Sequence, residues 1–199
     1  MIVSARGYRR DRAKLDESVA LFEQSLNHPL FEAAVLRFRA SAATPRMLRT
    51  GGLEQAGVLA ALRGGWPRPK GRRRPAIELD VELDPEVRDG TIGATQGGKI
   101  YTNPTWFREH PASWMAGHLA HEYSHILGFE HSVERTPRRH LTVPYAVGEL
   151  ISEVSERIVG ENDAVTPRRV DAILRAAGSR PWHDESLLST VEALLRRLV

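Results

Sequence analysis

The sequence contains no cysteine. That absence removes disulfides, thiol nucleophiles and thiolate metal ligands together, so any bound transition metal falls to histidine and carboxylate. Long hydrophobic runs are missing too. No apolar stretch reaches the roughly 18–20 residues that span a bilayer, so a membrane-embedded protein is not expected. The opening MIVSARGYRRDRAKLDES carries charges but no apolar segment behind them. It therefore shows no secretory signal, and a cytoplasmic location is expected, with leaderless export as the other route. Methionine is scarce, three in 199 residues, and none follows Met115.

Neither sign of charge dominates. The 28 basic and 25 acidic side chains leave a net charge of +3, and much of the excess gathers in RGGWPRPKGRRRP, residues 63–75. A run so rich in glycine, proline and arginine reads as a solvated linker. As a nucleic-acid footprint it is thin, with a single interleaved tryptophan, Trp66, so nucleic acid is not expected as a partner.

At 199 residues the chain suits one domain. Helical spacing of Leu15, Val19, Phe22 and Leu26, then of Leu30, Ala34 and Phe38, predicts helix over 12–40 with a break at His28-Pro29. A second short helix is expected over 53–62. In AIELDVELD, Ile77, Leu79, Val81 and Leu83 alternate with Glu78, Asp80 and Glu82, the pattern of a half-exposed strand. TIGAT and KIYTN flank Gln96-Gly97-Gly98 and read as a hairpin. Helices are expected over 111–127, 144–159, 166–177 and 184–198. The order predicts an α+β fold with a short mixed sheet: an N-terminal helical segment (1–62), a linker (63–75), a core (76–160) and C-terminal helices (161–199).

The chemistry concentrates in HEYSHILGFEH, residues 121–131. On a helix, Met115, Ala116, Leu119, Ala120, Tyr123, Ile126 and Leu127 form an apolar stripe. Trp114, His118, His121 and His125 share the opposite sector, with Glu122 at its edge. His121 and His125 stand one turn apart and can aim at one ion, while Glu122 can take a proton from water beside it. His118 shares the face but does not extend the motif, and reads as a packed or supporting histidine. Two residues compete as third ligand. Gly128 can adopt positive φ and end the helix, letting His131 turn back toward the ion. Glu149, in GELISE, is the rival. It lies opposite the apolar stripe of Val147, Leu150, Ile151, Val154 and Ile158, with Glu153 and Glu156, so it points away from a packed core, and His131 is favoured.

The full pattern His121-Glu122-x-x-His125-x-x-Gly128-x-x-His131 resembles the extended signature of the metzincin metallopeptidases. The resemblance covers roughly residues 90–147 and implies a zincin-like domain and a zinc-dependent endopeptidase acting on peptide or protein substrates. It makes His121, His125 and His131 the Zn²⁺ ligands and Glu122 the general base and acid. Glu149 as third ligand would instead match thermolysin-like gluzincins. The chain departs from metzincins in lacking their turn methionine, and Val143 in LTVPY stands where it is expected. Tyr145 matches a tyrosine that in some members binds zinc or stabilises the oxyanion, or it simply opens a helix. An edge strand before the active helix pairs with substrate in that family, which points to Ile92, Gly93, Ala94 and Thr95 as substrate-binding residues. The same fold without turnover, as a zinc-holding binding module, is the alternative, and an intact Glu122 argues against it.

Overall fold

A strand whose alternate side chains are apolar must press one face on a core, and the segment 78–83 does so. In a computed structural model of the chain, which describes residues 1–37, 47–64, 77–87, 91–131 and 138–160, strand β2 (Glu78–Leu83) buries Leu79, Val81 and Leu83. Strands β3 (Gly93–Gln96) and β4 (Lys99–Thr102) form the expected antiparallel hairpin, Gln96 opposite Lys99. Its two-residue turn is Gly97-Gly98, with φ of 59° and 79°. Positive φ at both positions gives the twist a tight hairpin needs, and glycine adopts it without strain.

The N-terminal segment is not purely helical. Strand β1 (Ile2–Arg6) pairs in parallel with β2, Val3 opposite Leu79 and Ala5 opposite Val81. Its alternation is weak because every residue is at least partly exposed, so periodicity gave no sign of it. The sheet runs in the order β1-β2-β4-β3, with β3 alone antiparallel.

Among the described residues, six α-helices accompany the sheet. Helices α1 (Arg12–Asn27) and α2 (Pro29–Arg37) break at His28 as the His-Pro pair predicts. Helix α3 (Gln55–Gly64) begins two residues later than expected. A short helix, α4 (Pro104–Glu109), was not foreseen; Asn103 caps it, its Oδ1 accepting from the Thr105 and Trp106 amides at 2.9 and 3.1 Å. Helices α5 (Ala112–Ile126) and α6 (Val143–Val159) cross closely. A Cβ added at Gly148 would stand 3.0 Å from the Gly117 carbonyl oxygen and 3.1 Å from the His121 Cβ. At Gly117 the fit is tighter still, since a Cβ there would fall 2.5 Å from the Gly148 carbonyl oxygen, closer than any side chain allows.

The core fills the space between α1, α2, α5, α6 and the sheet, with Phe22, Phe31, Met115, Leu119, Val147 and Ile151 fully buried. Because α6 is packed on several sides, Glu153 and Glu156 are buried rather than solvated as the wheel suggested. Ile158, assigned to the apolar stripe, is exposed. No helix among the described residues is long and apolar enough to cross a membrane. The linker over 65–75, its Arg72–74 run, the end of the first helical segment and both C-terminal helices lie outside the described residues.

Candidate metal centre

The end of α5 is built by Gly128. At φ 85° its amide donates to the His125 carbonyl at 2.9 Å, and the Phe129 amide reaches back to the Ser124 carbonyl at 3.0 Å. This is the paired closure of a Schellman turn, followed by the buried Phe129. The turn does two further things. It aims the Phe129 carbonyl at His125 Nδ1, 2.8 Å away, so Nδ1 carries the proton and Nε2 keeps its lone pair for a metal. It also reverses the chain, so that His131 comes back over α5.

The result is one cluster. Ligand atoms of His121, His125 and His131 all lie within 4.8 Å of one another. His121 Nε2 and His131 Nε2 are 3.3 Å apart. Two nitrogens bound about 2.05 Å from a tetrahedral zinc are separated by about 3.3 Å, so this pair already has the spacing of one edge of such a site. Burial and the neighbouring imidazoles push His121 down to about 2, with Arg139 adding to the effect. Burial likewise lowers His125. All three rings are partly open to solvent, and neutral imidazoles are what a metal needs. Glu149 is outside the cluster; its Oε1 sits 3.3 Å from His140 Nδ1.

Glu122 is buried at 5% exposure, its carboxyl pushed up to about 7 by desolvation, against a hydrogen bond from Thr95. Thr95 Oγ1 donates to Glu122 Oε2 at 2.8 Å. Glu122 Oε1 is 3.8 Å from His118 Nδ1. Burial drives His118 down to about 4, so this is not an ion pair at neutral pH. His118 Nε2 meets Thr102 Oγ1 at 3.1 Å. His118 is thus a packed neighbour of the candidate base.

Strand β3 lies along α5 in step. A Cβ at Gly93 would collide with the His118 ring, while Thr95 bonds Glu122. Two strand residues advance about 6.6 Å and four helix residues about 6 Å, which is why the pairs 93/118 and 95/122 match. Among the described residues β3 is an edge of the sheet. Ala94 is exposed on it. Ile92 is exposed just before the strand, with its carbonyl accepting from the Asn103 amide.

No family model, curated protein or solved structure matches the chain. What the site can do therefore rests on its own geometry.

Tyr145 joins the cluster from the first turn of α6, its ring centroid 4.7 Å from His121 and 4.8 Å from His131. Val143 is buried at the start of that helix, and its amide donates to the Leu48 carbonyl at 3.3 Å. Trp114, placed with the histidines by the wheel, instead donates to Glu156 Oε1 at 2.7 Å and stacks on His110, itself stacked on Trp106. The sequence reading missed Thr102 and Arg139. Thr102 depends on β4 meeting α5 and Arg139 on its turn folding against α6, and no local spacing marks either.

Proposed function

We propose that the chain is a zinc-dependent endopeptidase of metzincin type with a zincin-like fold. The observation that carries this is the convergence of three imidazoles beside a buried glutamate that a threonine of the edge strand holds in place. Zinc suits a donor set of three nitrogens, which leaves the fourth tetrahedral position to water, and would supply the Lewis acidity that activates water and polarises a carbonyl. His121, His125 and His131 would hold it, each through one ring nitrogen.

The chain's own residues do the rest. Glu122 takes a proton from the attacking water and returns it to the leaving amine, and its raised pKa matches that double task near neutrality. Its bond to Thr95 fixes the carboxyl, so little orientation is lost on reaction. An extended peptide lies along the edge of β3, over Ile92, Gly93, Ala94 and Thr95, and pairs with the backbone groups of alternate residues that face away from β4. The Tyr145 hydroxyl assists the oxyanion.

The test is hydrolysis of casein or a fluorogenic peptide library by the zinc-loaded protein, with and without chelator. Glu122→Gln is expected to lower turnover by at least about a hundredfold while zinc still binds, the range for loss of a general base. His131→Ala should weaken zinc binding strongly and Glu149→Ala should not. Zinc binding without any hydrolysis would leave a zinc-holding binding module; weakened zinc in Glu149→Ala would move the third ligand.

A further inference from the structure

Arginine is always charged, and when partly buried it ordinarily finds a carboxylate. Arg139 does not, among the described residues. Its guanidinium lies over the Tyr145 ring, 4.6 Å from the centroid. Its Nε is buried without a hydrogen-bond partner, in a side chain that is otherwise partly open. The carboxylate of Glu149, one turn along α6 from Tyr145, is engaged by His140 instead. Tyr145 in turn touches the His121 and His131 rings. One aromatic ring therefore separates the Arg139 charge from the metal-facing imidazoles.

The charge is also fixed in place. Arg139 opens a single turn of 3-10 helix (Arg139–Leu141), and its carbonyl accepts from both the Thr142 amide at 3.0 Å and the Thr142 hydroxyl at 2.6 Å. The end of that turn is clamped to Leu48, whose amide donates to the Leu141 carbonyl at 2.8 Å. A cation held on a braced turn, stacked on an aromatic face and lacking a partner among the described residues, is preorganised for an anion from outside.

We propose that Arg139 forms a carboxylate-binding subsite beside the metal centre, with Tyr145 as its floor. It takes a substrate carboxylate close to the scissile bond, either an acidic side chain or the C-terminal carboxylate of a short product-side segment. The inference rests on the peptidase reading for its substrate, but its test needs no turnover.

The zinc-loaded Glu122→Gln protein is titrated with four labelled peptides of one core sequence, and affinity is read by fluorescence anisotropy. The peptides carry Glu or Gln at the varied side chain, and a free or amidated C-terminus. At least one carboxylate form is expected to bind about tenfold more tightly than its amide partner, a charge-assisted contact's worth. Which pair shows the preference tells side chain from terminus. Adding Arg139→Gln should abolish the preference, Arg139→Glu should reverse it, and Arg139→Lys should retain part of it. Zinc affinity of each variant, measured by chelator competition, reports that the site is still assembled. Equal binding of all four peptides, no binding of any, or a preference that survives Arg139→Gln overturns the subsite. Carboxylate binding by a protein that never hydrolyses peptide would sink the peptidase reading and leave the subsite standing.

Discussion

Gly128 shows how much one residue can decide. Its positive φ closes α5, aims the Phe129 carbonyl at His125 and turns the chain toward His131. A Cβ there meets no neighbour, so the penalty of Gly128→Ala is purely conformational, about 1 kcal/mol. Thermal unfolding of the metal-free chain should register that loss. Zinc affinity should fall as well, because the turn sets two of the three ligands. Unchanged affinity would mean that the histidines do not depend on the turn. Protonation offers a second test at this scale. In the metal-free chain His118 sits at about 4, below its ordinary 6.5. Between those values the unfolded chain takes a proton that the folded one refuses, so stability falls as pH falls. His28, His121 and His125 shift in the same sense. Glu122 runs the other way: raised from 4.5 to about 7, it keeps a proton that the unfolded chain has lost, and stability falls as pH rises through that window. Removing it by Glu122→Gln should make the loss of stability on acidification from pH 7 to 5 steeper than in the parent. Equal slopes in denaturant melts across that range would contradict the burial of Glu122.

At the scale of elements, the site depends on how α5 meets its neighbours. Gly117 and Gly148 let α5 and α6 touch backbone to backbone, which brings Tyr145 and the 3-10 turn against the histidines. A Cβ at Gly117 would strike the Ser152 side chain and the Gly148 carbonyl. Gly117→Ala is therefore expected to destabilise by about 1–3 kcal/mol, the range for overpacking, read from the urea midpoint. A neutral result would mean the helices part without penalty. The α5 sequence displayed its histidine face and its apolar stripe, because a 3.6-residue period is a local property. It did not show that Glu122 and His118 are buried, since the elements covering them, β3 and β4, come from a hairpin whose docking no local pattern encodes. The wheel of α6 misplaced Glu153 and Glu156 for the same reason. It supposes one wet face, while α5, α1 and α2 all pack on that helix.

For the whole molecule, the strand at the N-terminus is the instructive case. Residues 1–37 belong to the same packed unit as the site, through the pairing of β1 with β2 and the packing of α1 on α5. Deleting residues 1–6 removes an entire strand and is expected to lower the melting temperature of the whole chain in a single transition, seen by calorimetry. A truncated chain that melted as before would make the N-terminal segment a separable appendage. By itself the sequence determined the helix break at His28-Pro29, the glycine turn of the hairpin, the α+β class and the histidines of 121–131, because each rests on local period or backbone freedom. Only the tertiary structure decided that His131 joins His121 and His125 while Glu149 turns to His140, and that Thr95 holds Glu122. It likewise decided that Arg139 stands charged and unpaired, among the described residues, over Tyr145. Those facts depend on how turns and separate elements pack in space, which no local spacing encodes.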